Sequence, residues 1–261
     1  MNIPIYQVDA FTDRVFGGNP AAVCPLDSWP DDALLANIAA ENNLSETAFF
    51  VNRGDHFEIR WFTPTVEVDL CGHATLAASH VIFHDLAYPG HEIRFLSSAH
   101  GYLYVTREKE LLVLNFPATM PVKAGPEEVV VRALRQKPLE LWKSRDIMVL
   151  YSKEEEVRNL HPDFPLLKQL GIPGIIVTAP GTGVDFVSRY FAPGVGIDED
   201  PVTGSAHTTL IPFWAQRLGK TKLRALQVSK RQGELFCEMK DERVLIGGKA
   251  LTYMKGKIEL A

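Results

Sequence analysis

The sequence predicts an α+β protein of two pseudo-symmetric halves, each a mixed β-sheet wrapped around one central helix. Three observations carry this expectation. Phe57-x-x-Arg60-Trp61-Phe62-x-Pro64 recurs 129 residues later as Phe186-x-x-Arg189-Tyr190-Phe191-x-Pro193. Pro30-Asp31-x-x-Leu34-Leu35, Gly72-x-Ala74 and Gly101-x-Leu103-Tyr104 each return 132 residues later, at Pro162, Gly204 and Gly233. In each half, short β-branched or alternating runs flank one strongly apolar helical stretch. The offset is close to half of the 261 residues, so the repeat is a tandem duplication of one domain and not a solenoid. We place the domains at 1–118 and 119–261, with Pro117 to Glu127, rich in proline, as the linker.

In the first half, strands are expected at Ile3 to Val8, Thr47 to Val51, Glu58 to Phe62, Glu92 to Phe95, Tyr102 to Thr106 and Leu111 to Asn115. Pro30 to Asn42 reads as a surface helix, with Asp31 and Asp32 in its first turn and Leu34, Leu35, Ile38 and Ala39 on one face. His73 to His84 is apolar on nearly every side and small at its start, as a helix enclosed by sheet must be. Its counterpart is Ser205 to Leu218, where Pro212 should kink the helix or set its true start later. Both stretches follow a glycine, Gly72 and Gly204. A helix start presents unpaired N–H groups, and glycine lets a ligand come close to the backbone.

A net charge of -5 and 23% charged residues leave no basic face for a polyanion, so nucleic acid is not an expected partner. No apolar run is long enough to span a bilayer, and Asp9 and Asp13 near the start argue against a signal peptide. Cys24, Cys71 and Cys237 are too scattered for a disulfide framework or a Cys-x-x-Cys metal site, and a reducing cytoplasm is expected.

Chemistry should reside where the copies differ. Glu46, beside Ser45 at the mouth of an apolar strand, has no acid at its second-copy counterpart near Gly174; it reads as a proton carrier or as a turn glutamate. His73 can donate to a substrate oxygen, or be a helix-start polar residue satisfied by backbone. Asp200 lies in the segment Gly194 to Thr203, which is three residues longer than its counterpart; it reads as a cleft acid or part of a solvated loop. Ser205, the partner of His73, reads as a substrate contact or a plain helix cap. Cys71 reads as a reactive thiol or a small buried residue; Thr203 stands at its counterpart, so no thiol pair is available for two-base racemisation. Folding is expected to bring the acids of the two halves to one crevice.

Val8-Asp9-Ala10-Phe11-Thr12, Phe16-x-Gly18-Asn19-Pro20-Ala21-Ala22-Val23, Leu44-Ser45-Glu46-Thr47-Ala48-Phe49, Arg60-Trp61-Phe62-Thr63-Pro64, Cys71-Gly72-His73-Ala74-Thr75 and Glu199-Asp200-Pro201-Val202-Thr203-Gly204-Ser205-Ala206 run in order along the whole chain. Together they resemble the PhzF-like family of phenazine-biosynthesis isomerases. The resemblance implies the diaminopimelate epimerase-like fold, a homodimer, and proton transfer between carbons of a small, cyclic carboxylate without metal or organic cofactor. It implies Glu46 as acid/base, His73 and Asp200 in the catalytic set, and Ser205, Ser45, Gly72 and Gly204 as substrate contacts. A cysteine-dependent epimerase and a non-catalytic binding module of the same fold are the alternatives.

Overall fold

Backbone pairing reproduces the duplication strand by strand. In the computed structural model, which describes residues 2–125 and 127–260, the first half contains β1 (Asn2–Ala10), β2 (Asn19–Leu26), β3 (Glu46–Asn52) and β4 (Phe57–Phe62). β2 runs parallel to β3, β3 is antiparallel to β4, and β4 runs parallel to Glu92–Ser97. The second half repeats this order: Ile147–Leu150 runs parallel to Ile175–Pro180, which is antiparallel to Phe186–Ala192, which runs parallel to Lys222–Gln227. Parallel neighbours need crossover connections, and such a connection enclosed in sheet leaves no wet face.

The chain forms two compact units, Met1–Asn115 with Gly247–Ala261, and Phe116–Ile246. The chain passes from the first unit to the second between Asn115 and Phe116. The C-terminal end differs from the expectation: Ala250–Glu259 pairs antiparallel with β1 from Asn2↔Glu259 to Ala10↔Ala250, so its hydrogen bonds tie it to the first unit. The expected linker is also partly structured. Val122–Ala124 pairs with Glu140–Lys143, while Pro126 lies outside the described residues.

β2 was not among the expected strands, and it contains Pro20 and Pro25, residues uncommon inside a sheet. They are the second and seventh of its eight residues, and they stand opposite Asp9 of β1 and Phe50 of β3. The α1 helix (Asp32–Asn42) starts under the Asp31 carboxylate, which accepts from the Ala33 N–H at 2.8 Å, and it buries Leu35, Ile38 and Ala39. Those side chains join Ile3, Phe49, Val51 and Phe62 in one apolar cluster.

α2 (Gly72–His80) is the expected enclosed helix: every residue from His73 to Ser79 is buried, and it packs on β1, β2, β3 and the last strand. Ala74, Ala77 and Ala78 let the sheet approach closely. The α-helix ends at His80 and continues as a π-turn, Val81–Asp85, where the sequence suggested uninterrupted α-helix to His84.

The Gly204–Leu218 helix starts at Gly204 and passes through Pro212, so the proline does not set a later start. Pro212 has no N–H to give to the Thr208 carbonyl, and the Thr119 N–H takes that place at 2.9 Å. The helix therefore loses a donor without leaving an orphaned acceptor. The second unit has its own core of Val130, Leu134, Val149, Val177, Val187 and Phe191 among others, each side chain contributing about 1.5–3 kcal/mol on full burial. Among the described residues, no helix is long and apolar enough to cross a membrane.

Candidate active site

Three elements of the first unit meet at one point. β3 begins at Glu46, β2 runs parallel beside it with Ala21 opposite Glu46, and α2 packs on both strands. This places Asn19 at the start of β2, and His73 in the first turn of α2, next to the Glu46 carboxylate. His73 Nε2 lies 3.1 Å from Glu46 Oε2, with the imidazole 4% and the carboxylate 14% exposed. Both atoms are shut off from solvent, and neither has an aligned hydrogen-bond partner within the protein. An unmatched buried polar pair is costly, by about 1–3 kcal/mol per group. Such a pair is expected where a ligand supplies the missing partner.

The other ring nitrogen is engaged. Asn19 Nδ2 lies 3.1 Å from His73 Nδ1, and Cys71 Sγ lies 3.5 Å from it. Burial works against charge on His73. The negative charges that Cys71, when ionised, and Glu46 bring beside it outweigh burial, so the imidazole is held well above its ordinary value. Cys71 is pushed up to about 11, mainly by burial and further by Glu46. It is therefore a thiol at neutral pH, which favours the bland reading of this residue over a reactive thiolate.

One donor atom each from Glu46, Cys71 and His73 lies within 4.8 Å of the others, close enough to share a metal ion. A metal there would require the Cys71 thiol to be deprotonated against its burial.

Neither central helix is closed by a side chain at its start. Cys71 caps α2 and Thr203 caps the Gly204–Leu218 helix, and neither makes the usual side-chain bond to the first turn. Ser205 is therefore not the cap; its Oγ accepts from Arg145 Nη2 at 3.3 Å. Thr203 turns its hydroxyl outward from the helix, donating to Asp200 Oδ2 at 2.5 Å. Gln227 binds this corner together: its Nε2 donates to the Asp200 carbonyl at 2.8 Å and to Thr203 Oγ1 at 3.1 Å, while its Oε1 accepts from the Thr203 N–H at 2.9 Å. Asp200 is thus the last residue of a short strand, Ile197–Asp200, and not part of a solvated loop. Its neighbour Glu199 forms a two-pronged pair with Arg189 at 2.7 and 2.9 Å.

Of the residues expected from sequence, Glu46, His73 and Cys71 come together, and Gly72 starts the same helix. Ser45 is half-buried directly before Glu46. Asp200, Ser205 and Gly204 cluster around the helix start of the second unit. Asn19, Arg145 and Gln227 were not assigned roles from sequence. Asn19 lay within a motif, Gly18-Asn19-Pro20, whereas no local signal marks Gln227.

A cavity of about 320 Å³ on the first unit, lined by Arg60, Trp61, Glu67, Asp69 and Ser97 among others, is a weaker candidate. Arg60 is bound there at 2.7 Å to Asp32 and at 2.6 Å to Glu67, so the cation is already neutralised.

The family model described as phenazine biosynthesis-like protein matches residues 8–256. An uncharacterized isomerase of Pseudomonas aeruginosa is 52% identical over 262 residues, covering 100% of both chains. The crystal structure of a phenazine biosynthesis protein of the PhzF family from Enterococcus faecalis superposes with a TM-score of 0.97 at 48% identity, covering 100% of both chains. A hydroxyproline epimerase from Agrobacterium vitis, 9% identical, shares the fold with a TM-score of 0.63 over 98% of this chain and 92% of that one. The α+β architecture is accordingly the diaminopimelate epimerase-like one. The chain belongs to the PhzF phenazine biosynthesis-like family, as one of its isomerases.

Proposed function

We propose that this isomerase moves a proton between carbons of a small, cyclic carboxylate, with Glu46 as the single acid/base and no metal or organic cofactor. The observation that carries the reading is the buried contact between Glu46 Oε2 and His73 Nε2, two polar atoms without an aligned partner. A carboxylate in that position takes a proton from one carbon and returns it to another on the same face, which needs one base and not two. His73 donates toward the substrate oxygen on which charge develops. The start of α2, behind Gly72, has no side-chain cap bond and suits the substrate's carboxylate, a helix end contributing up to ~2 kcal/mol when partly buried. Such a base accounts for ~10² to 10⁴ in rate, and orientation of the substrate supplies the remainder.

The test is deuterium wash-in from heavy water into a panel of small cyclic carboxylates. Wild type should exchange a carbon-bound proton of a true substrate, and Glu46→Gln should not while keeping the wild-type circular dichroism spectrum. Exchange that persists in the glutamine variant would remove Glu46 from the mechanism.

A further inference from the structure

The loop that delivers Asn19 is held in an unfavourable backbone. Phe11 and Phe16 adopt φ of 61° and 67°, and Gly18 adopts 60°. A Cβ on Gly18 would lie 2.0 Å from the Ala10 carbonyl oxygen, so only glycine fits. The Asp9 carboxylate pins the loop by accepting from the Phe16 N–H at 2.9 Å. Left-handed non-glycine residues cost on the order of 1–3 kcal/mol each and persist where the surroundings over-determine them, commonly beside functional groups. What this loop achieves is the placement of one buried carboxamide against His73.

We infer that Asn19 is a positioning residue that sets the tautomer of His73, keeping the proton of the neutral ring on Nε2, toward Glu46. The Asn19 Nδ2 group can only donate, so the ring nitrogen 3.1 Å away must accept. The second neighbour of Nδ1, Cys71 Sγ at 3.5 Å, can as a thiol donate in the same direction. A neutral imidazole carries one proton, and with Nδ1 accepting it resides on Nε2, 3.1 Å from Glu46 Oε2. The opposite tautomer would set N–H against N–H at Asn19 and point a bare lone pair at the carboxylate.

In its neutral form His73 is thereby fixed as a donor on the side where Glu46 and substrate meet. The consequence for turnover rests on the reading of Glu46 as acid/base; the tautomer does not.

The experiment is long-range ¹H–¹⁵N correlation spectroscopy of histidine-labelled protein, with pH raised until the His73 ring is neutral and His73→Gln used for assignment. Wild type should show the Nε2–H tautomer. Asn19→Asp, whose carboxylate accepts from Nδ1–H, should shift the proton to Nδ1, and deuterium exchange into the substrate should fall by about tenfold or more. A wild-type ring protonated on Nδ1, or a tautomer unchanged by Asn19→Asp, would overturn the inference. The wild-type spectrum decides even if the variant does not fold. If the tautomer is as stated but Glu46→Gln still exchanges deuterium, the proposed function falls and the role of Asn19 on the ring stands.

Discussion

His73 Nε2 and Glu46 Oε2 lie 3.1 Å apart, one at the start of the central helix of the first unit and the other at the mouth of a strand it packs on. Because both atoms are buried, the charge on either is felt by the other at low effective dielectric. Replacing Glu46 with Gln removes the negative charge that favours the imidazolium. The His73 titration, followed by ring-nitrogen chemical shifts, should move down in pH in this variant. An unmoved titration would mean that the carboxylate does not govern the imidazole.

The Cys71 thiol, pushed up to about 11, is almost entirely protonated at neutral pH. Alkylation by iodoacetamide near pH 7.5 should be slow in the native protein, far slower than for the same thiol after unfolding. Cys71→Ala should keep deuterium exchange within roughly tenfold of wild type, since it removes neither the base nor the imidazole. Fast native alkylation with loss of exchange would instead favour the cysteine-dependent epimerase.

His207 is fully buried, gives its Nδ1–H to the Thr203 carbonyl at 2.8 Å, and has Nε2 with no partner in the protein. Burial pulls it down from 6.5 to about 4. The unfolded chain then binds the proton first as pH falls. Stability contributed by the neutral ring is intact above about 6.5, declines between there and about 4, and levels off below, a loss of at most about 3 kcal/mol. His80, drawn down to about 4 chiefly by burial and then by His84, acts in the same window. Urea midpoints measured against pH should show this acid slope, and His207→Gln should flatten part of it. A slope identical in the variant would exclude His207 as its source.

Gln227 is buried and makes three hydrogen bonds to Thr203 and Asp200. Gln227→Leu leaves the Thr203 N–H without its acceptor, which should cost about 1–3 kcal/mol in chemical denaturation. Gln227→Glu keeps an acceptor for that N–H but loses both Nε2 donor bonds and buries a carboxylate beside Asp200, so it should cost at least as much. A markedly smaller loss for Gln227→Glu would mean that the bond to the Thr203 N–H outweighs the two Nε2 bonds.

Gly18→Ala would force a side chain into the 2.0 Å gap to the Ala10 carbonyl at a φ of 60°. The expected loss is on the order of 1–3 kcal/mol, read as a lower melting temperature. Since the same loop holds Asn19, the His73 ring resonances should shift as well; a purely local change would leave them in place.

Much of this was legible in the amino-acid order. The repeated Phe-x-x-Arg-aromatic-Phe-x-Pro block marks the same strand position in each half, β4 and Phe186–Ala192, with Arg60 and Arg189 as the partly exposed residue that both share. His73 to Ser79 could be recognised as an enclosed helix because only small or apolar residues fit inside a sheet. Glu46 and His73 stood out because they break the symmetry. Other features were decided by contacts between residues far apart in the chain, which carry no local signature. The Thr119 N–H rescues the carbonyl that Pro212 abandons, so the helix runs on where a proline alone predicts interruption. The last strand belongs with the first unit because β1 offers it a full ladder of partners. Asn19, lying 54 residues from His73, acquires its meaning only when β2 and α2 pack together, since the proton on an imidazole is set by what touches its other nitrogen and not by its neighbours in sequence.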